Sequence, residues 1–240
     1  IGGTITDKEA LLLQTPESFH ARFRVDVRVR QEAVGVDVKA KTVQVKNLET
    51  GETYRESYDK LVLSPGASPI RPNLPGAEEN HLFTLRNIPD TYAIREHIDS
   101  YKPKSCAVIG AGFIGMEMAE NLAELGIAVN IIEAAPHVMA PVDLDMAHDI
   151  HNYIRSKGLG LYLGQKCVGF TSNSVLLDSG ASVPADMVIL SIGVVPESGF
   201  LRHSGIRLGE RGEIVVNDCL QTSAEDVYAL GDAVAVTNLV

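Results

Sequence analysis

In the middle of the chain, short apolar segments alternate with segments that have the periodicity of amphipathic helices. Cys106–Ile109 and Ala128–Ile132 are apolar at successive positions, which is typical of strands buried on both faces. An amphipathic helix is predicted from Ile114 to Leu125, where Gly126 follows. A second helix is predicted over Asp143–Lys157. This strand–helix–strand–helix order predicts an α/β protein with a parallel, doubly wound sheet.

The first hundred residues mix helical and strand signals. Thr15, followed by proline and glutamate, predicts the start of a helix. Val25–Val36 alternates valine with charged residues and predicts a half-exposed strand. The polar turn Leu48–Gly51 separates two strand-like segments and predicts a hairpin. A further helix is predicted over Pro89–Ser100.

Two segments share one pattern of an apolar strand followed by a loop of small residues. Leu61–Leu63 leads into Ser64–Ala67, and Val188–Leu190 leads into Ser191–Pro196. The sequence shows no repeat with the short period of a solenoid, so that class of fold is not indicated. The repetition predicts two nucleotide-binding lobes of similar plan.

Composition narrows the classes of protein. The 240 residues include 21 Lys+Arg and 31 Asp+Glu, for a net charge of −10. Nucleic acid and anionic lipid are therefore not expected as partners, because both bind clustered cations. No apolar run is long enough for a membrane span. Three cysteines without a CxxC pair indicate a reducing cytosol rather than a disulfide framework or zinc ribbon.

Both ends of the chain have the appearance of cuts within a longer protein. The sequence begins with Ile1 rather than methionine and ends on Val240 soon after a strand-like run. We therefore expect the chain to be part of a larger protein.

The strongest chemical signal is Gly110-x-Gly112-x-x-Gly115 between a predicted strand and a predicted helix. The first glycine permits the tight turn, the second admits a diphosphate and the third allows close helix packing. The helix N-terminus, with Phe113 and Ile114 in its first turn, offers N–H groups to phosphate. Glu133 lies 18 residues after Gly115, at the end of the next strand, where a carboxylate can accept from ribose hydroxyls. The pattern predicts a dinucleotide site.

The residues after Glu133 bear on the choice between NADH and NADPH. A 2′-phosphate beside Glu133 would meet like charge, and Ala134–Pro136 provides no Arg or Lys to bind it. His137 is the only nearby candidate for that task. NADH is therefore the expected ligand.

A second signal ends in Gly231-Asp232, which follows the predicted strand Val227–Leu230. Asp232 could cap a helix that starts there, or it could bind a sugar-like hydroxyl chain. The spacing alone leaves both interpretations open.

Together these motifs resemble the pyridine nucleotide-disulfide oxidoreductases, FAD- and NAD(P)H-dependent flavoproteins of glutathione-reductase-like fold. The family pattern T-x-x-x-x-(I/V)-Y-A-x-G-D matches Thr222 through Asp232 and implies that Gly231 and Asp232 contact FAD. The small-residue loops of the family match Ser64, Pro65, Gly66 and Ala67, expected at FAD, and the loop with Gly193, expected at NADH. The resemblance also implies that Glu117 faces the flavin and nicotinamide.

Within the family, three segments resemble the CoA-disulfide reductases and the NADH-dependent persulfide reductases. They are Leu11–Phe23, Ser57–Ala67 and Leu85–Asp90. The resemblance implies a small-molecule disulfide or persulfide substrate, for example one linked to CoA, and a homodimeric parent protein. Arg22 is a candidate for CoA phosphates, but we favour the alternative that it is a solvated charge.

The resemblance also implies parts that the sequence does not contain. The family opens with its own FAD-binding GxGxxG element and a redox cysteine, and it ends with a dimerisation domain. We therefore expect the FAD lobe to be incomplete, and Cys106, Cys167 and Cys219 to be buried structural thiols. His148 and His151 lie three residues apart on a predicted helix; we interpret them as a solvated face rather than a metal site.

These expectations combine into one domain plan and two functions. Residues 104–208 are expected to form an NADH-binding domain inserted into a partial FAD-binding domain of residues 1–103 and 209–240. The parent protein is expected to pass hydride from NADH through FAD to a disulfide or persulfide, with O2 as an alternative acceptor. The chain alone could instead bind NADH without catalysis.

Overall fold

The computed structural model describes residues 1–3, 5, 7, 9–78 and 81–236 of the chain. The chain divides into two compact units. Unit 1 comprises Ile1–Thr6 and Pro69–Gly193, and unit 2 comprises Asp7–Ser68 and Val194–Val240.

Four α-helices and fifteen strands occur in the described residues. The helices are α1 Pro16–Phe23, α2 Ile88–Tyr101, α3 Phe113–Glu124 and α4 Leu144–Ser156. The strands are β1 Gln31–Asp37, β2 Thr42–Asn47, β3 Thr53–Ser57, β4 Leu61–Leu63, β5 Ala67–Pro69, β6 Leu82–Thr84, β7 Ser105–Ile109, β8 Ala128–Glu133, β9 Gly160–Leu163, β10 Cys167–Thr171, β11 Ser174–Leu177, β12 Ser182–Pro184, β13 Met187–Leu190, β14 Val194–Pro196 and β15 Val227–Ala229. None of the described helices combines the length and the apolar content that crossing a bilayer requires.

Unit 1 is built on a five-stranded sheet in the order β6-β13-β7-β8-β9, and every strand pair in it is parallel. The predicted α/β class with a parallel sheet is therefore confirmed. β7 and β13 are apolar at successive positions because both of their faces are buried, as expected: the residues of Cys106–Ile109 and Met187–Leu190 are all buried.

Alternate residues of these strands enter two separate cores. Val108, Ile131 and Ile189 pack with residues of α2, α3 and α4 on one face. Val188 and Leu190 pack on the other face with the antiparallel sheet β10-β11-β12. Unit 1 is thus a helical layer, a parallel sheet and an antiparallel layer.

Two helices begin with reciprocal capping hydrogen bonds, and Thr15 of the first is the cap that the sequence predicts. Thr15 accepts a hydrogen bond from the Ser18 N–H, and Ser18 Oγ accepts from the Thr15 N–H, at 3.2 and 2.9 Å. Asn87 and Asp90 form the same reciprocal pair at the start of α2. Each pair satisfies amides that the helix itself leaves free.

Unit 2 contains the antiparallel sheet β1-β2-β3, the parallel pair β4–β15 and the pair β5–β14. The hairpin predicted around Leu48–Gly51 is confirmed by the pairing of β2 with β3. Leu63, Ile214 and Val227 are among the buried residues of its core.

One predicted strand is only half correct. The alternating segment begins at Val25, but β1 starts only at Gln31. The side chains of Val25, Val27 and Val29, which precede the strand, are exposed. Arg30 has a φ of +54°, which interrupts the extended backbone before the paired strand begins.

The two units divide the chain at other positions than the domains expected from the sequence. Residues 69–103 cluster with unit 1, because β6 pairs with β13 and Ile94 and Ile98 of α2 join its core. Residues 194–208 cluster with unit 2.

Candidate functional site

The turn after β7 requires a glycine at its first position. Gly110 has a φ of +97°, and its N–H donates to the Ile132 carbonyl at 2.8 Å. A Cβ at this position would lie 2.7 Å from the carbonyl carbon of Ser191. Both the backbone conformation and the neighbouring strand end therefore exclude a side chain.

Gly115 brings α3 close to the same turn. A Cβ there would lie 2.5 Å from Ser191 Oγ and would also clash with the Gly110 carbonyl oxygen. Ser191 Oγ itself donates to the carbonyls of Ile109 and Gly110, at 3.1 and 2.7 Å. The third glycine thus has the packing role that the motif predicts.

Gly112 differs from the other two glycines. It precedes α3 with φ −77° and ψ −173°, an extended conformation that any residue adopts. A Cβ at Gly112 would meet no protein atom within 4 Å. Within the described part of the chain, no side chain caps the start of α3. Packing does not require a glycine here, and the N-cap preference for glycine is modest, whereas a ligand at the uncapped helix start would require the open position.

Glu133 is fixed at the end of β8 by two backbone amides. Its Oε2 accepts from the Ala111 N–H at 2.7 Å, and its Oε1 accepts from the Ala135 N–H at 2.8 Å. The carboxylate therefore bridges the glycine-rich turn and the loop that follows β8.

These residues border a cleft of about 440 Å³ at the carboxyl ends of the parallel strands. Gly110, Gly112 and Glu133 lie on its wall, with Ser191 from the next strand end. Gln165 and Lys166 complete another side. A cleft at this edge of a parallel sheet is where α/β proteins bind their ligands.

Three of the other residues predicted for the dinucleotide directly follow wall residues of this cleft in the chain: Phe113 and Ile114 come after Gly112, and Gly193 comes after Ile192. Phe113 and Ile114 are exposed in the first turn of α3. Gly193 has a φ of +103°, and its carbonyl accepts from the Ile70 N–H at 3.0 Å. Glu117 is exposed and borders a different groove, of about 420 Å³, between α3 and α4.

In unit 2, the predicted FAD residues follow two paired strands. Parallel pairing sets Leu63 of β4 opposite Ala229 of β15, so Ser64–Ala67 and Gly231–Asp232 leave the sheet at the same end. Gly231 has a φ of +80°, and a Cβ there would lie 3.2 Å from Ser64 Oγ. The structure thus brings the two sequence-distant segments together.

The helix-capping interpretation of Asp232 is wrong for the described residues. Residues 231–236 form a turn and a bridge at Val234, with no helix. Asp232 is exposed.

Asp226, just before β15, was not predicted from the sequence. It has a φ of +60°, and its carboxylate accepts from Lys41 Nζ at 2.7 Å and from Lys60 Nζ at 3.0 Å. The hydrogen bonds from Lys41 and then Lys60 lower the pKa of Asp226. Its carbonyl accepts from the Leu61 N–H, which sets the register of β4 with β15.

Arg22 lies on the exposed surface of α1, with its guanidinium 5.0 Å from the centre of the Phe23 ring. This placement fits the solvated charge named as the alternative. Its role toward a substrate stays a prediction.

Two further expectations from the sequence are corrected. Cys106 is buried as predicted, and Cys167 is half-buried. Cys219, by contrast, is exposed in a turn, where its backbone N–H donates to Asn217 Oδ1. His148 is exposed, whereas His151 is buried and not part of a solvated face. No cluster of three metal-ligating side chains occurs among the described residues.

Two residues at the cleft, Gln165 and Lys166, had no signal in the sequence. They follow β9 and reach the cleft because β9 pairs with β8. Ser191 begins the small-residue loop noted in the sequence, and it reaches the cleft because β13 pairs with β7. Burial raises the pKa of the Cys167 thiol, which also lies at this cleft.

The sequence profile of the pyridine nucleotide-disulphide oxidoreductases matches residues 3–240. The chain belongs to this family. A coenzyme A disulfide reductase of Staphylococcus aureus (strain bovine RF122 / ET3-1) is 35% identical over 232 residues, which are 97% of this chain and 52% of that protein. The chain spans about half the length of the curated relatives it matches.

Solved structures of family members have the same fold. The reduced CoADR-RHD of Bacillus anthracis superposes with a TM-score of 0.94 at 47% identity, over 97% of this chain and 42% of that one. The water-forming NADH oxidase of Lactobacillus brevis, bound to NADH, has a TM-score of 0.89 at 32% identity, over 98% of this chain and 52% of that one. The resemblance drawn from the motifs is therefore confirmed.

Proposed function

We propose that this chain provides the NADH-binding unit and part of the FAD-binding unit of a homodimeric cytosolic flavoprotein that reduces a CoA-linked disulfide or a persulfide. FAD, when bound, supplies the chemistry of accepting a hydride and delivering its electron pair to sulfur. The protein residues bind and orient the two nucleotides.

The observation that carries the proposal is the open position at Gly112. Since no protein atom lies within 4 Å of a Cβ there, the glycine keeps the cleft free at the start of α3. The backbone N–H groups of an uncapped helix start attract a diphosphate through hydrogen bonds and the helix dipole. The residues present thus fit a dinucleotide.

Glu133 supplies the second part of the site. Each carboxylate oxygen accepts one backbone N–H and retains a further lone pair for a ribose hydroxyl. A 2′-phosphate in the same place would be repelled by the carboxylate, which favours NADH over NADPH. The Lys166 side chain on the same cleft is the feature that favours NADPH instead.

Matched variants separate these two contributions. Glu133→Ala is expected to weaken NADH binding and reduce the preference over NADPH, measured as two dissociation constants by titration calorimetry. Lys166→Ala is the matched change at the same cleft, and it is expected to leave NADH affinity unchanged while weakening the binding of NADPH. Unchanged affinity for both nucleotides in Glu133→Ala would remove the ribose role from Glu133.

In unit 2, Ser64–Ala67 and Gly231–Asp232 support FAD binding. The two segments follow the ends of two adjacent parallel strands. The exposed Asp232 carboxylate offers hydrogen-bond acceptors for the ribityl hydroxyls. Glycine at position 231 keeps the backbone close to Ser64, where a larger residue would be strained. Yellow protein whose flavin absorbance survives gel filtration would support this assignment, whereas colourless protein would favour a unit that binds NADH alone.

The electron acceptor is proposed from the similarity to the CoA disulfide reductases. The alternative acceptor is O2, because a water-forming NADH oxidase has a closely similar structure. The parent protein is expected to oxidise one NADH for each CoA disulfide reduced to two CoA thiols under nitrogen. NADH oxidation that requires O2 and ignores the disulfide would select the oxidase instead.

A further inference from the structure

His151 is a buried polar residue that neither the motifs nor the proposed cofactor contacts explain. It lies on α4 and is 3% exposed. Its Nε2 accepts a hydrogen bond from the Val138 N–H at 3.2 Å, so its proton is on Nδ1. The residue therefore attaches α4 to the loop that connects β8 with that helix.

That loop is in turn bonded to the dinucleotide site. The Met139 N–H donates to the Ala111 carbonyl at 2.8 Å, and the Ala111 N–H donates to Glu133 Oε2 at 2.7 Å. Met139 has a φ of +54°, a left-handed conformation that a non-glycine residue adopts at a cost. The surrounding bonds must hold the loop in this conformation.

We propose that His151 is a positioning residue of the dinucleotide site, whose neutral imidazole holds residues 138–139 and, through Ala111, the arrangement of Glu133 and the glycine-rich turn that binds NADH. This inference rests on the proposed function, since it assigns a role at the same site. It adds a dependence of nucleotide affinity on the protonation of one buried side chain.

The bond to Val138 exists only while the imidazole is neutral, because an imidazolium has no acceptor. Among the described residues, the titratable groups whose charge acts on His151 are Arg155 and His148 of α4 and His137 of the loop. Burial first, and then these cationic groups, lower the pKa of His151 below its ordinary value. The bond is therefore intact at pH 8 and lost when the pH falls through the lowered pKa.

The first test is the affinity for ADP-ribose, which carries the diphosphate and the adenosine ribose and is stable at low pH. We expect its dissociation constant to rise as the pH falls from 8 through the lowered pKa of His151, by about 3- to 10-fold once the imidazole is protonated, the equivalent of one hydrogen bond. His151→Gln keeps an acceptor that does not titrate, so its binding is expected to change little with pH. His151→Leu is expected to bind more weakly at both pH values.

The control is His148→Gln, which changes an exposed histidine on the same helix. It is expected to bind like the wild type at pH 8 and to keep a pH dependence, with its midpoint at a higher pH because one of the charges that lower the pKa of His151 is gone. If His151→Gln retains the full pH dependence of the wild type, the proposal is wrong.

The second test does not depend on a folded variant. Since ligand binding and protonation are linked, ADP-ribose at saturation is expected to lower the pKa of His151 further, measured from the imidazole ¹⁵N shifts. An unchanged pKa at saturation would overturn the positioning role. Absence of NADH binding at pH 8 would instead refute the proposed function, so the two failures are distinguishable.

Discussion

Gly112→Val separates the requirements of nucleotide binding from those of folding. The backbone at Gly112 is already extended, and its Cβ position is open. Valine suits this conformation, and the lower flexibility of the unfolded chain stabilises the variant by about 0.4–1 kcal/mol. Losing glycine at a helix N-cap costs a similar amount. The net change in the free energy of unfolding is therefore expected to stay within about 1 kcal/mol.

The effect on NADH should be much larger. A side chain at Gly112 projects into the cleft and displaces the diphosphate from the amides at the start of α3. Each lost hydrogen bond to a charged group costs about 1.5–3 kcal/mol, so the dissociation constant is expected to rise about 10- to 150-fold.

Gly115→Ala is the opposite case. Its methyl group would lie 2.5 Å from Ser191 Oγ and against a backbone carbonyl that cannot rotate away. Overpacking costs about 1–3 kcal/mol, and the helix propensity of alanine returns about 1 kcal/mol. We expect a net loss of stability of up to about 2 kcal/mol.

Urea denaturation and NADH titration of both variants provide the assay. Gly199→Val is the matched control, because Gly199 also has an open Cβ position and lies in unit 2. It is expected to bind NADH normally. Folded Gly112→Val with wild-type NADH affinity would refute the reasoning about the open glycine.

Two further predictions concern stability. Burial, then the nearby His81, lower the pKa of His97, so the unfolded chain takes up its proton at a higher pH than the folded protein does. The free energy of unfolding, measured by urea denaturation, is therefore expected to be highest above about pH 6.5 and to fall as the pH drops below it. In His97→Phe it is expected to fall less steeply with decreasing pH. An equal decrease per pH unit in both proteins would contradict this. Asp186 accepts the N–H groups of Lys104 and Ser105 at 2.8 and 2.9 Å, so Asp186→Ala is expected to lose about 1–2 kcal/mol and Asp186→Asn less. Equal stability of both Asp186 variants and the wild type would show that these bonds contribute nothing.

In unit 1, the strands and helices whose own residue pattern indicates their conformation were predictable from the sequence. Unalternating strands and amphipathic helices encode their own conformation. The glycine motif likewise encodes a turn, because Gly110 and Gly115 are required by contacts within and next to that turn. Their spacing therefore predicted both the local structure and the position of Glu133.

The remaining parts depend on contacts that no local pattern encodes. Ser191 reaches the glycine turn only because β13 pairs with β7. His151 has the spacing of a solvated histidine pair, and only the return of the Val138 loop onto α4 buries it. Valine alternation before β1 predicted a strand, but the residues from Val25 to Val29 remain exposed. Strand formation requires a partner as well as a pattern.

The binding of NADH by the folded chain tests the central claim most directly. In titration calorimetry at pH 8, the account predicts a saturable signal with one site per chain and a weaker response to NADPH. Well-folded protein that shows neither heat nor saturation at millimolar NADH would contradict it.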